Sequence, residues 1–173
     1  MAAGMHTYKT ALAVKETEKW VQHTREVLFE SGEVLSKAQD IVLSTRGYII
    51  TDDPPFLQPF IDATKDIDNH FENISNLTTV NIQQLQKLDT LKKLINEAIK
   101  LSVRIIKLKK QKKFVTVQQL VIVRQGEICM DEIRTLIQTI QAEERISLKL
   151  LKKAYADKPS KFNAMGLTVG ILC

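Results

Sequence analysis

The sequence predicts an all-α protein, an elongated up-down-up-down four-helix bundle with long first and last helices. Apolar side chains recur every seven positions over long stretches, a spacing that keeps one face of each helix turned towards its partners. Only six glycines and four prolines occur in 173 residues, which favours long helices over many short strands. With 44% hydrophobic residues, the chain is long enough to bury a core as one domain.

The first helix is predicted to begin near Thr7 or Tyr8 and to reach Gly47 or a few residues beyond it. Its heptad pattern is unbroken around Gly32, so the helix should continue through this glycine at a cost of up to about 1 kcal/mol. One of its three rows is made of small residues, which let a neighbouring helix approach closely. The rows are Trp20, Val27, Val34, Ile41 and Tyr48; Val21, Leu28, Leu35, Val42 and Ile49; and Thr17, Thr24, Ser31, Ala38 and Thr45.

A proline-containing turn and a β-branched joint delimit the next two helices. The turn at Asp52 to Pro55 offers an acidic cap and a proline for the first position of a second helix, which runs from about Pro55 to Leu77. The third helix runs from about Ile82 to Lys113 and ends at residues 114–116, where β-branched side chains are stiff in a helix. The residues predicted to be buried are Phe60, Ala63, Ile67, Phe71, Ile74, Leu77, Leu88, Leu94, Ile95, Leu101, Ser102 and Leu108.

The fourth helix is predicted from about Val117 to Asp157, with Gly126 as its internal weak point. Pro159 should end it, because proline lacks the N–H that a helix interior needs. The chain is therefore divided into a bundle over residues 1–158 and an apolar tail over residues 159–173. The tail fits either the opening turns of a truncated membrane helix or a non-native extension. The residues predicted to be buried are Ile133, Leu136, Ile137, Ile140, Leu148 and Leu151.

The net charge of +5 comes from basic residues that are mostly mixed with acidic ones. The one basic run, residues 107–113, is typical of a solvated helix end, where cations are favoured near the C-terminal dipole; binding of an anion or polyanion is the alternative. In the bundle, this run should lie opposite Asp52 and Asp53, so ion pairs from Lys110 and Lys113 are expected there. This location argues against a membrane-surface role for the run, and we predict no nucleic-acid partner.

The residue patterns that support catalysis are missing from the sequence. None of the three histidines, His6, His23 and His70, has a glutamate three residues before it, as a metal site in a helical bundle would need. No phosphate-binding glycine loop, Cys-x-x-Cys pair or nucleophile motif occurs. No apolar stretch of 18 residues is present to span a membrane. We predict no enzyme activity, no metal and no cofactor for this chain.

Two blocks of sequence are more distinctive than the heptads. The first reads Arg-Gly-Tyr-Ile-Ile-Thr-Asp-Asp over residues 46–53 and continues as Phe-Leu-Gln-Pro-Phe over residues 56–60. The second reads Gly-Glu-Ile-Cys-Met-Asp-Glu-Ile-Arg over residues 126–134, followed by Glu-Glu-Arg at 143–145. In order and spacing these blocks resemble the third class of CHASE domains, over about residues 8–156. Members often have Glu-Thr-Gly before the Arg-Gly-Tyr motif, where this chain has Val42, Leu43 and Ser44.

The resemblance implies an extracytoplasmic sensory domain of a membrane receptor, with a histidine kinase of a two-component system as the first choice of parent protein. A cyclase or a chemoreceptor is the alternative output. The domain is expected to form a homodimer, to respond to a small molecule or a protein signal, and to pass a helix shift across the membrane. The heptad rows taken alone would fit a soluble coiled-coil scaffold or adaptor equally well.

The candidate ligand-binding residues are Arg46, Tyr48 and Arg134. A guanidinium can bind a carboxylate or phosphate through two parallel hydrogen bonds, so Arg46 is the first candidate. Tyr48 lies in the same block and could line a pocket, although an aromatic cluster at a bundle end also serves as a plug. The alternative role of both arginines is structural, in ion pairs with the carboxylates Asp52, Asp53, Asp131 and Glu132.

Overall fold

The computed structural model describes the backbone of residues 2–78, 82–111 and 116–169 and the side chains of residues 14–78, 82–111 and 121–154. Four α-helices account for nearly all of this backbone, and within the described ranges there is no strand. The helices are α1 (Ala2–Thr51), α2 (Gln58–Leu77), α3 (Ile82–Lys110) and α4 (Thr116–Val169), with a 3-10 helix at Pro54–Leu57. The predicted all-α fold with long first and last helices is confirmed.

Contacts along the chain define two compact units. The larger unit, residues 27–141, contains all of α2 and α3 together with the adjoining parts of α1 and α4. The smaller unit is built from residues 1–26 and 142–173, so the beginning of α1 and the end of α4 form one compact unit.

Successive helices of the larger unit run in opposite directions. Glu30 of α1 contacts His70 of α2, with 2.6 Å between Oε2 and Nδ1. Lys37, two turns further along α1, contacts Asp66, one turn earlier in α2, with 3.3 Å between Nζ and Oδ2. Further contacts between neighbouring helices join Lys92 to Asp68, Cys129 to Leu94, and Gln141 to Ser31. The four helices therefore form an up-down-up-down bundle in which α1 is adjacent to α2 and α4.

The core of the larger unit follows the predicted heptads. On α1, two rows alternate at the centre, one apolar and one of small residues, because positions three and four apart lie on the same face. Ser31 and Ala38 of the small row are completely buried, and the amide of Gln141 reaches the Ser31 hydroxyl at 3.0 Å. The fully or nearly fully buried apolar residues include Val27, Val34, Ile41, Ala63, Ile67, Ile74, Leu91, Ile95, Ile133, Ile137 and Ile140.

Trp20 continues the apolar row of α1 in sequence but is 40% exposed, so its predicted place in the buried seam is wrong. Trp20 belongs to the smaller unit, which is built from two helical segments. Two helices cover less of each other's surface than four do, which leaves this large ring partly in solvent. The Trp20 and His23 rings are nearly perpendicular, with centroids 6.0 Å apart.

The predicted helix end before Pro159 is also wrong, because α4 continues to Val169. A proline in a helix interior removes one backbone hydrogen bond and costs about 3 kcal/mol, but the hydrogen-bond pattern can resume on its far side. The local signal at Pro159 was therefore outweighed by the helical character of the residues on both sides.

Replacement of the buried Ile137 by alanine should lower the free energy of unfolding by about 2 to 5 kcal/mol, because it removes apolar contacts and leaves a cavity. The matched control is Ile128→Ala, which truncates an exposed isoleucine of the same helix and should change stability by less than about 0.5 kcal/mol. Urea denaturation followed by circular dichroism measures both. Equal losses in the two variants would contradict the bundle core described above.

Candidate functional site

The Arg-Gly-Tyr block forms the last turns of α1 and its C-terminal cap. Asp52 adopts a left-handed conformation, with φ of 58°, and its N–H donates to the carbonyl oxygen of Tyr48 at 2.9 Å. This bond satisfies one of the carbonyl groups that a helix end leaves free. The Thr51 hydroxyl donates to the Gly47 carbonyl at 2.8 Å and accepts the Asp53 N–H at 3.2 Å. The block therefore fixes where α1 stops and the chain turns.

Gly47 has a steric reason to be glycine. A Cβ atom built on this residue would lie 2.5 Å from Cδ1 of Phe56, closer than two carbon atoms can approach. The Phe56 ring therefore rests directly on the backbone of α1 and holds the 3-10 helix that follows the turn. The second half of the block, which begins at Phe56, is thus packed against the first half.

The basic end of α3 meets the acidic end of α1. Lys109 Nζ lies 3.8 Å from Asp52 Oδ1, so one ion pair joins the two helix ends. The contact uses Lys109 in place of the neighbouring Lys110, which is exposed, as is Asp53. The other lysine predicted for this cluster, Lys113, lies outside the described residues.

Arg46 joins α1 to α4. Its Nη2 lies 3.4 Å from Oε1 of Glu127, and the other oxygen of this carboxylate lies 3.2 Å from Nη1 of Arg124. The partner of Arg46 is therefore Glu127, which is not among the four carboxylates that the sequence had suggested and lies one helical turn before Asp131. Because the Arg46 side chain is about one-third accessible, its guanidinium can still be reached from solvent.

A small recess lies beside Arg46. Its volume is about 20 Å³, which is room for a single water molecule and far less than the few hundred Å³ of a metabolite site. Its walls are largely apolar and come from three helices, with Val42, Thr45, Arg46 and Ile49 on α1, Ala98, Leu101, Ser102 and Ile105 on α3, and Ile122, Val123 and Gly126 on α4. In this conformation the recess is too small to enclose an organic ligand.

The other two predicted ligand residues differ in their surroundings. Tyr48 is buried at the end of the apolar row of α1, so its ring is part of the core. Arg134 is partly exposed and donates to Asp131 of the same helix at 2.6 Å. Arg134 is seven residues from Glu127, about 10 Å along α4. Arg46 and Arg134 therefore take part in separate ion pairs at different levels of α4.

A polar cluster between α1 and α2 was not predicted. Both oxygens of the largely buried Glu30 carboxylate have partners, since His70 Nδ1 lies 2.6 Å from one and Asn73 Nδ2 donates to the other at 3.1 Å. Forty residues separate Glu30 from His70, and no local motif connects them. The His70 side chain is 20% exposed, which places it at the edge of the core.

Cys129 is buried and its Sγ donates to the carbonyl oxygen of Leu94 at 3.2 Å. Burial, together with the negative charges of Glu97 and Glu132, raises the pKa of this thiol from 9.0 to about 11. The thiolate is the reactive form of cysteine, so Cys129 is held as an unreactive thiol at neutral pH.

The described residues contain no group of three metal-ligating side chains. Among them, no helix is long and apolar enough to cross a membrane.

These features define a helical module whose polar contacts connect helix ends and neighbouring helices. A family comparison places the chain more closely: the model of the CHASE3 domain matches residues 17–154, most of its length, and the chain belongs to this family. CHASE3 domains are extracellular sensory domains found in receptors such as histidine kinases, so the predicted sensory class is confirmed. No curated protein and no solved structure matches the chain significantly.

Substitution Gly47→Ala should destabilise the protein by about 1 to 3 kcal/mol, because the new methyl group would overlap the Phe56 ring. With Phe56→Ala as background, the same change should be neutral or stabilise by up to about 1 kcal/mol, since alanine is the better helix former. A double-mutant cycle by chemical denaturation measures the difference. Equal effects of Gly47→Ala in the two backgrounds would show that the ring does not pack on this glycine.

Cys129 should resist thiol reagents in the folded protein. At pH 8, the raised pKa lowers the thiolate fraction about a hundredfold relative to a thiol of pKa 9.0, and burial slows access further. Below pH 9 the thiol is neutral in folded and unfolded protein alike, whereas between pH 9 and 11 it ionises more readily when unfolded. Stability should therefore fall across that interval, and less in Cys129→Ala. Rapid labelling of native protein by a disulfide reagent in a Cys173→Ser background would refute the predicted resistance of Cys129.

Proposed function

We propose that this chain is the extracytoplasmic input domain of a membrane-anchored receptor, most simply a histidine kinase of a two-component system, and that it acts as a homodimer. The domain performs no catalysis, and the enzymatic output belongs to the parent protein. CHASE3 membership supports the sensory role. The observation that supports the receptor mechanism is the smaller unit, in which the beginning of α1 and the end of α4 belong together.

A sensor that lies between two membrane helices needs its entering and leaving helices side by side. α1 and α4 meet this need, because both are continuous and their outer segments share one unit. A stimulus that repacks the larger unit could then move α4 against α1 by about 1 to 2 Å, a shift of the size known from helix-based switches. Cores of this kind have discrete packing arrangements, which a bound signal can bias.

Arg46 offers a specific way for an anion to act. The guanidinium is partly accessible but already paired with Glu127 of α4. A carboxylate or phosphate that takes the place of Glu127 on Arg46 removes a direct contact between α1 and α4. The small recess beside Arg46 would have to widen at the same time. Ligand binding and helix repacking are then one event.

The parent reading frame tests the receptor assignment. Membrane helices on both sides of this segment, followed by a kinase or cyclase module, are the expected result. Flanking sequence that lacks membrane helices would overturn the receptor and favour a soluble scaffold.

Binding of an anion at Arg46 should raise the thermal midpoint of the purified protein. At a concentration about 100 times its dissociation constant, a ligand adds about 2.7 kcal/mol to the free energy of unfolding. A panel of carboxylates, phosphates and neutral osmolytes measured by differential scanning fluorimetry provides the test. The rise should disappear in Arg46→Gln and persist in Arg124→Gln, which removes the other arginine paired with Glu127. A rise that survives Arg46→Gln places the ligand elsewhere.

A further inference from the structure

The outer face of α1 contains an apolar row that the bundle does not use. Phe29, Leu43 and Ile50 are 61%, 60% and 82% exposed. They are separated by multiples of seven residues, and the remaining place in the row is the small, exposed Ser36. Scattered exposed apolar residues are normal on a protein surface, but a row in heptad register is the pattern of a helix with a partner.

The row lies opposite the core. Each member follows a buried residue by two positions, as Phe29 follows Val27 and Leu43 follows Ile41, which turns it about 200° around the helix. From Phe29 to Ile50 the row is about 30 Å long. At its far end it is widened by Phe56, whose exposed ring rests on Gly47.

The residues on the two sides of the row differ in character. One edge consists of Gly32, Gln39 and Arg46, and the other of Glu33, Asp40 and Gly47. A Cβ atom on Gly32 would have no neighbour within 4 Å, so a second helix has space to approach the backbone there. The first edge thus provides the Gln39 amide and the Arg46 guanidinium, which also contacts Glu127, whereas the second provides carboxylates.

This difference selects one orientation for a second copy of the chain. In a parallel two-fold pair of α1 helices, the donor edge of each copy faces the carboxylate edge of the other, so Asp40 lies level with the partner's Gln39. In an antiparallel pair, each edge faces its own counterpart, and Asp40 approaches the partner's Asp40. Like charges that approach each other are unfavourable.

The outer faces of α3 and α4 are less suitable for a contact between two copies. On α3, the corresponding positions are Lys93, Lys100 and Lys107, all exposed, and two copies of this row would repel each other. On α4, the exposed pair Val121 and Ile128 is continued by the polar Thr135. Among the described residues of the larger unit, the α1 row is therefore the longest exposed apolar row in heptad register.

We infer that the row Phe29, Ser36, Leu43 and Ile50 is the contact between two copies of this chain, packed with their α1 helices parallel and in register. The inference rests on the homodimer proposed above and names its surface and orientation. Both copies then present their termini in the same direction.

Substitution Leu43→Glu should raise the dimer dissociation constant at least about tenfold, because it places two carboxylates at the centre of the two-fold contact. The control is Ile128→Glu, which introduces the same charge at an exposed isoleucine of α4 and should leave the dissociation constant unchanged. Sedimentation equilibrium gives the constants, and circular dichroism checks that both variants are folded. A monomeric wild-type chain, or equal weakening by the two substitutions, overturns the inference.

Cross-linking tests the orientation. In a Cys173→Ser background, Phe29→Cys and Ile50→Cys should each form a disulfide-linked dimer on mild oxidation, because a parallel pair in register brings identical positions together. The buried Cys129 remains unreactive. A cross-link that forms only when the two variants are mixed would demonstrate an antiparallel pair and overturn the inference.

These measurements use the purified chain and do not depend on any receptor output. Parallel dimers from a gene without flanking membrane helices would support the surface and refute the receptor. A gene with flanking membrane helices, together with a chain that is monomeric or forms antiparallel dimers, would support the receptor and refute the surface.

Discussion

The close approach of helices along the small-residue row of α1 is the constraint on which the rest of the fold depends. Ser31 and Ala38 are completely buried between longer side chains, and they leave space only for neighbours that come near the α1 backbone. The amide of Gln141 fills part of this space and bonds to the Ser31 hydroxyl. Because interiors are packed to crystal-like density, a small residue on one helix requires a matching large residue on another. The Gln141 contact with Ser31 fixes one point in the register of α4 against α1.

The end of α1 shows how a short motif can fix the ends of several elements. Asp52 stops the helix in a left-handed conformation and its carboxylate meets Lys109 of α3. Gly47 accommodates the Phe56 ring, which holds the chain where it turns towards α2. Arg46 connects the same turn of α1 to Glu127 of α4. The Arg-Gly-Tyr block therefore links all the helices at this end, and a signal that disturbs it would reach each of them.

The ion pairs and the core have different energetic roles. The pairs Arg46 to Glu127 and Lys109 to Asp52 are partly exposed and longer than 3 Å, so each contributes little to stability. Stability comes mainly from the buried aliphatic rows, at roughly 1.5 to 3 kcal/mol for each large side chain removed from water. A weak pair on a stable core is easily exchanged for a ligand contact. This arrangement is compatible with the helix shift proposed above.

The sequence by itself determined the helices, their order and most of the core, because a seven-residue period defines a helix face without reference to any partner. It also identified the family, since the two blocks around Gly47 and Gly126 are local patterns. Only the tertiary structure decided that Arg46 pairs with Glu127 and that Glu30 meets His70, because many charged residues on neighbouring helices are equivalent in sequence terms. Exposure of Trp20 was decided in the same way. Its heptad position is that of Val27, but the number of helices packed around a position is a property of the assembled fold.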